Sequence, residues 1–149
     1  MIMVIDHIGI VVEHIKDGID QWTRLFGYSQ STEAVVNTRQ RVRVVFMAKK
    51  DSCMIKLVEP LDEKSPVHQF ARKGGGLHHI CFRCDNVNGT VERFKRMGLR
   101  VLSEPEPGEA FDGHPIAFVY VQPGLNIELI DTAKKAKQID LKKERDQER

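Results

Sequence analysis

An α+β fold made of two similar β-α-β-β-β modules is what this 149-residue sequence predicts. Three observations carry the prediction. The chain repeats itself: Leu77-His78-His79-Ile80-Cys81-Phe82 is a second copy of Asp6-His7-Ile8-Gly9-Ile10-Val11, with His7 falling on His79 at an offset of 72 residues. The same offset carries Phe46 onto Phe118, Ile55 onto Ile127, Lys56 onto Glu128 and Leu57 onto Leu129. Within each copy, alternating β-branched runs surround one amphipathic helix. Two copies are too few for a solenoid and point instead to paired modules that share a core, with a cleft between them.

The elements follow in order. Residues 2–12 are rich in Val and Ile and suit a strand, with His7, Gly9 and Val11 on one face. Residues 17–26 are helical: Ile15, Ile19, Trp22 and Phe26 form one apolar stripe, and Gly27 sits where a C-cap glycine belongs. Residues 28–36 make a candidate strand, and residues 41–48 and 54–58 two firmer ones, separated by a turn at Lys49-Lys50-Asp51-Ser52. After a loop over 60–65, a short helix over 67–72 ends at Gly74-Gly75-Gly76, the joint between modules. The second module repeats the order. A strand covers 77–84, a helix carries Val87, Val91 and Phe94 and ends at Gly98, and strands cover 99–103, 116–122 and 125–130. A long loop is expected over 104–115. This gives one domain over residues 1–131, with modules at 2–61 and 77–131 and a linker at 62–76. The charged tail, 132–149, is expected to be a solvated helix or disordered.

Composition narrows the function. The net charge is +2, and the tail holds seven Lys/Arg against four Asp/Glu, leaving 16 basic and 17 acidic residues in the body. That body has no basic footprint for nucleic acid. No apolar run approaches the roughly 18 residues of a membrane span, and the first residues do not read as a signal peptide. A cytoplasmic protein acting on a small molecule, and possible homodimerisation, are the expectations. Cys53, Cys81 and Cys84 are odd in number, and Cys81 and Cys84 point to opposite faces of a strand, so all three read as reduced packing residues.

Pairing the two modules about a pseudo-twofold axis places His7 and His79 in equivalent first strands and Lys56 and Glu128 in equivalent last strands. Alternation sets Lys56 on the face of Met54 and Val58, and Glu128 on that of Asn126 and Ile130. Polar groups among such neighbours need partners or a task. Two imidazoles and a carboxylate are a donor set for a divalent metal with open positions. His114, in the long loop, is a spare acid, base or substrate contact. His14 and His68 read as surface residues, and His78, on the face opposite His79, as structural.

Asp6-His7-Ile8-Gly9-Ile10, Leu57-Val58-Glu59-Pro60-Leu61 with Ser65-Pro66, Gly76-Leu77-His78-His79-Ile80 and Ile127-Glu128-Leu129 together resemble the vicinal oxygen chelate (glyoxalase/bleomycin resistance/dioxygenase) superfamily, over about residues 2–131. Within it the resemblance is to the methylmalonyl-CoA epimerase branch. It implies a curved, cup-shaped mixed sheet with helices outside. It also implies an isomerase or lyase that moves a proton next to a carbonyl of an acyl-CoA or small oxoacid. A divalent metal (Co, Mn, Zn, Ni or Fe) in the cup would be held by His7, His79 and Glu128. Glu128 would double as catalytic acid/base, with Lys56 catalytic and, with Arg39, substrate-binding.

Two positions depart from the family. The fourth ligand, normally Glu or Gln, falls on Lys56, and the epimerases' other acid/base carboxylate falls near Arg39, where Thr38-Arg39-Gln40-Arg41 has none. Neutralising Lys56 at pH 7 costs about 4.6 kcal/mol. Keeping it charged about 5 Å from a divalent ion costs roughly 6–7 kcal/mol. An ion pair between Lys56 and Glu128 is easier. The resemblance also leaves open an extradiol-type dioxygenase with iron at His7, His79 and Glu128, and a metal-free small-molecule binding protein.

Overall fold

The computed structural model describes residues 2–140. Strand β1 (Met3–Val11) leads into helix α1 (Ile15–Phe26), the short strands β2 (Ser29–Gln30) and β3 (Val35–Asn37), and the hairpin β4 (Val42–Ala48) and β5 (Met54–Pro60). Helix α2 (His68–Arg72) then joins the modules. The second copy runs β6 (Gly76–Cys84), α3 (Val87–Arg96), β7 (Arg100–Pro107), a 3₁₀ turn at Glu109–Phe111, β8 (Pro115–Val121) and β9 (Leu125–Ile130). Nine strands form one open mixed sheet in the order β2-β4-β5-β1-β6-β9-β8-β7, with β3 on β4. The modules meet at the antiparallel pair β1–β6. Each first strand runs parallel to its own module's last one, His7 opposite Met54 and His79 opposite Asn126.

The repeat decides which face each residue takes. Val44, Phe46 and Val58 pack inside the curve with their counterparts Ile116, Phe118 and Ile130. Val45, Met47, Ile55 and Leu57 face the α1 side, and Ala117, Val119, Ile127 and Leu129 the α3 side. Strand alternation thus builds one core inside the curve and one under each helix. Helix α1 is capped from a distance: Glu59 Oε2 accepts from the Ile15 amide at 2.6 Å. It stops at Gly27, at φ 72°. Helix α3 is capped by Asn86, whose Oδ1 accepts from the Gly89 amide at 2.7 Å. No helix among the described residues is long and apolar enough to cross a membrane. All three cysteines are free, with Cys81 and Cys84 buried.

Three expectations are corrected. Residues 104–107 continue β7 rather than opening a loop. β7 is the edge of the sheet, where Pro105 and Pro107 cost no ladder hydrogen bond. The candidate strand over 28–36 is two short pieces, broken around Thr32, whose Oγ1 accepts from the Phe46 amide at 3.1 Å. The third concerns the tail. Residues 132–140 are not a solvated helix but a strap across the end of the cup. The Ala136 amide donates to the Ala110 carbonyl and the Ile139 amide to the Ser31 carbonyl, each at 2.9 Å. Ala136 joins the inner core, and Lys135 is only 5% exposed. Residues 141–149 lie outside the described residues.

Candidate functional site

Two bulges aim the site. In the β1–β6 ladder Ile5 pairs with Phe82 and His7 with Cys81, so Asp6 is skipped. Further along, Gly9 pairs with His79 and Ile10 with Leu77, so His78 is skipped. A bulged residue leaves the alternation and re-aims its side chain. Asp6 and His78 are themselves equivalent at the 72-residue offset, and each meets the histidine that follows it. Asp6 Oδ2 lies 2.7 Å from His7 Nδ1, and His78 Nδ1 lies 2.8 Å from His79 Nδ1. His78 is therefore not on the far face, as strict alternation predicts, but beside His79 on the cup wall. Gly9 makes this possible: a Cβ there would sit 2.0 Å from His79 Cε1, so the imidazole fills the space a side chain would take.

Inside the cup His7, Lys56, His79 and Glu128 come together. Glu128 is fully buried and Lys56 is 3% exposed. Lys56 Nζ donates to Glu128 Oε2 at 3.2 Å and Oε1 at 3.4 Å. His7 Nε2 and His79 Nε2 approach Oε1 at 2.9 and 3.4 Å, but off hydrogen-bond alignment, and neither has a hydrogen-bond partner among the described residues. Behind His7, the buried Lys135 ammonium reaches Asp6 at 3.1 Å. Both lysines lie over the same two rings: Lys56 Nζ is 5.3 Å from the centre of Phe111 and 6.0 Å from Phe46, and Lys135 Nζ is 5.5 and 5.3 Å from them.

These contacts set protonation. Burial alone would raise the Glu128 carboxyl, but the Lys56 charge and the two imidazoles hold it well below the usual range. Burial would likewise raise Asp6, but His7 and Lys135 bring it down. Burial depresses His79 to about 4, so it is neutral at pH 7. His78 is also lowered, first by burial and then by the nearby Lys56 charge.

A cavity of about 420 Å³ opens above this centre. Val42, Val44, Lys56 and Val58 of the first module and His78, His79, Phe118 and Asn126 of the second line it, so the cup forms within one chain. Its mouth is tied across the two ends of the sheet. Thr38 donates from Oγ1 and from its amide to Glu109 at 2.6 and 2.8 Å, and Arg39 reaches the Pro107 carbonyl at 3.0 Å and Glu106 at 3.8 Å. Of the residues predicted from sequence, Lys56, His79 and Arg39 face the cavity. His7 and Glu128 lie behind that wall. His114 does not line it, and its Nδ1 faces the Phe111 carbonyl at 2.8 Å.

Asp6, His78, Glu106 and Lys135 were missed. The offset could have exposed Asp6 and His78, since both copies place a polar residue before the histidine. Nothing in the sequence signals Lys135.

His7, His79 and Glu128 present ligand atoms within 4.8 Å of one another and by donor type could hold a metal ion. Their two orphaned Nε2 atoms point the same way. Charge points the other way. Lys56 and Lys135 already balance Glu128 and Asp6, and an ammonium stands where a fourth ligand would. As the chain is built, the four residues do not fit a divalent ion.

Comparison with known proteins agrees with this architecture. Residues 6–118 match the model of the Glyoxalase/Bleomycin resistance protein/Dioxygenase superfamily. Ethylmalonyl-CoA/methylmalonyl-CoA epimerase of Cereibacter sphaeroides is 30% identical over 122 residues, 80% of this chain and 90% of that one. A Streptomyces coelicolor methylmalonyl-CoA epimerase variant, solved with 2-nitronate-propionyl-CoA, superposes with a TM-score of 0.76 at 29% identity, covering 89% of this chain and 99% of that one. A methylmalonyl-CoA epimerase solved with methylmalonyl-CoA and NH4+ gives 0.76 at 28%, covering 94% and 100%. With its duplicated modules, its inward histidines and this match over most of its length, the chain belongs to the glyoxalase/bleomycin resistance/dioxygenase superfamily and is similar to its methylmalonyl-CoA epimerases.

Proposed function

We propose that the chain is an isomerase that moves the proton on the carbon next to the thioester carbonyl of an acyl-CoA. The observation that carries this is that Lys56, a buried cation, and His78, an imidazole lowered below its ordinary value, share one cavity wall. The volume suits an acyl head group, with the nucleotide outside. Arg39, half-exposed at the mouth, suits an anionic group there.

In this reading the thioester oxygen accepts a hydrogen bond from Lys56 Nζ. The α-hydrogen leaves as a proton to the His78–His79 pair. The electron pair it leaves behind becomes an enolate, whose oxygen the buried ammonium stabilises. A proton taken from solvent and delivered to the other face through the Glu106 carboxyl, on β7, inverts the carbon, and the proton on the histidine pair passes to solvent. Glu128 works through Lys56 and His79: it holds the ammonium in place. The related epimerase solved with NH4+ offers a parallel, since here an ammonium is carried by a side chain.

The test is proton NMR of methylmalonyl-CoA in D2O. The α-hydrogen signal should vanish with the protein present and persist with a Lys56→Met variant. A signal that persists with the unaltered protein rules the reading out. A second reading, a metal-free binding protein, is favoured by Lys56 and Arg39 at the two ends of one cavity. It predicts saturable acyl-CoA binding without exchange.

A further inference from the structure

We infer that the Lys56 ammonium is the resident cation of this site, standing in for a divalent metal, and that removing its charge turns His7, His79 and Glu128 into a metal centre. Charge and geometry argue it together. Four charged groups, Asp6 partly buried and the other three buried, form one array running Lys135–Asp6–His7–Glu128–Lys56, with contacts of 3.1, 2.7, 2.9 and 3.2 Å. Two ammoniums and two carboxylates cancel, and the partly exposed Arg83 guanidinium, 3.8 Å from Asp6, adds further positive charge at the rim. A divalent ion among them would add two uncompensated positive charges in a largely buried site.

Lys56 also engages both Glu128 oxygens, which a bound metal would need at least in part. The same array carries the features of a metal site with its cation replaced. Asp6 holds His7 Nδ1, which leaves Nε2 turned to the centre, the arrangement by which an outer carboxylate orients a ligand histidine. His78 holds His79 in the same way. Both Nε2 atoms are buried and unpartnered. The repeat explains the outcome: position 56 is equivalent to position 128, and a lysine in one copy faces a glutamate in the other. Pairing the two replaces bridging them through a metal.

The inference concerns the cation alone and does not depend on which substrate the cup takes. Its test is calorimetric titration of the EDTA-stripped full chain with Co²⁺, alongside visible absorption, counting only binding lost in a His79→Ala variant. The unaltered protein should take up no His79-dependent Co²⁺ at micromolar concentration. Lys56→Gln, which offers a neutral oxygen, should bind one equivalent at least a hundredfold tighter, about 2.7 kcal/mol, with ligand-field bands of imidazole coordination. Lys56→Met, which removes charge without adding a ligand, should gain part of that affinity. One tight, His79-dependent equivalent in the unaltered protein overturns the inference whether or not the variants fold. So does a folded Lys56→Gln variant that binds no tighter than the unaltered chain.

Discussion

Replacing Lys56 with Met leaves Glu128 fully buried without its counter-charge, and the cost follows from the geometry. The charges are 3.2 Å apart, which at an effective dielectric of 20 is an attraction of about 5 kcal/mol. Removing one partner of a buried pair costs about 3–5 kcal/mol, since the remaining charge keeps its desolvation penalty. His7 and His79 offset part of it here, so about 3 kcal/mol is expected, or roughly 6–12 °C in Tm for a chain of this length. The double variant Lys56→Met with Glu128→Leu removes both charges and should recover most of the loss. Urea and thermal melts followed by circular dichroism, in EDTA so that adventitious metal cannot repair the single variant, give the full cycle. A loss below about 1 kcal/mol in the single variant, or a double variant worse than the single, would mean that the two groups do not form one buried pair.

Gly9→Ala puts a Cβ 2.0 Å from His79 Cε1, so the imidazole must move. Stability should fall by about 1–3 kcal/mol, and the His79 ring resonances should shift in a proton–nitrogen NMR spectrum. Lys135→Met removes the strap's ion pair with Asp6 and should cost about 1.5–3 kcal/mol, read from the urea midpoint. Acid should lower stability over two successive pH windows. His79 is depressed from 6.5 to about 4, so the unfolded chain binds its proton first, and stability falls as pH drops through that window. Glu128 and Asp6 are both lowered, so their contribution is present above their ordinary values of 4.5 and 3.8 and is lost as pH falls through the folded ones. A His79→Gln variant should show a shallower first decline in melts run from pH 7 to 3, keeping only the part that His78 contributes.

The parts of this fold that repeat were legible. An offset of 72 residues fixed which positions pair across the axis, and strand alternation put Lys56 and Glu128 on the inner face. Bulges were not legible, because a skipped residue leaves no mark in composition and nothing local announces the break in alternation. Strict alternation therefore sent His78 to the wrong side and gave Asp6 no task. The strap escaped for another reason. Lys135 looks like any lysine in a charged tail until its partner Asp6, 129 residues earlier, is placed beside it by the fold. β7 was cut short at its prolines because nothing local marks a strand as an edge. The departure at Lys56 was visible at once. What it does depended on whether Nζ reaches Glu128, a distance across two modules.

Proton NMR of methylmalonyl-CoA in D2O, run with EDTA-treated protein before and after adding Co²⁺, tests the account most directly. If Lys56 is the working cation, the α-hydrogen signal disappears in the presence of EDTA, and Co²⁺ does not speed its loss. Exchange that begins only once Co²⁺ is supplied would contradict the account.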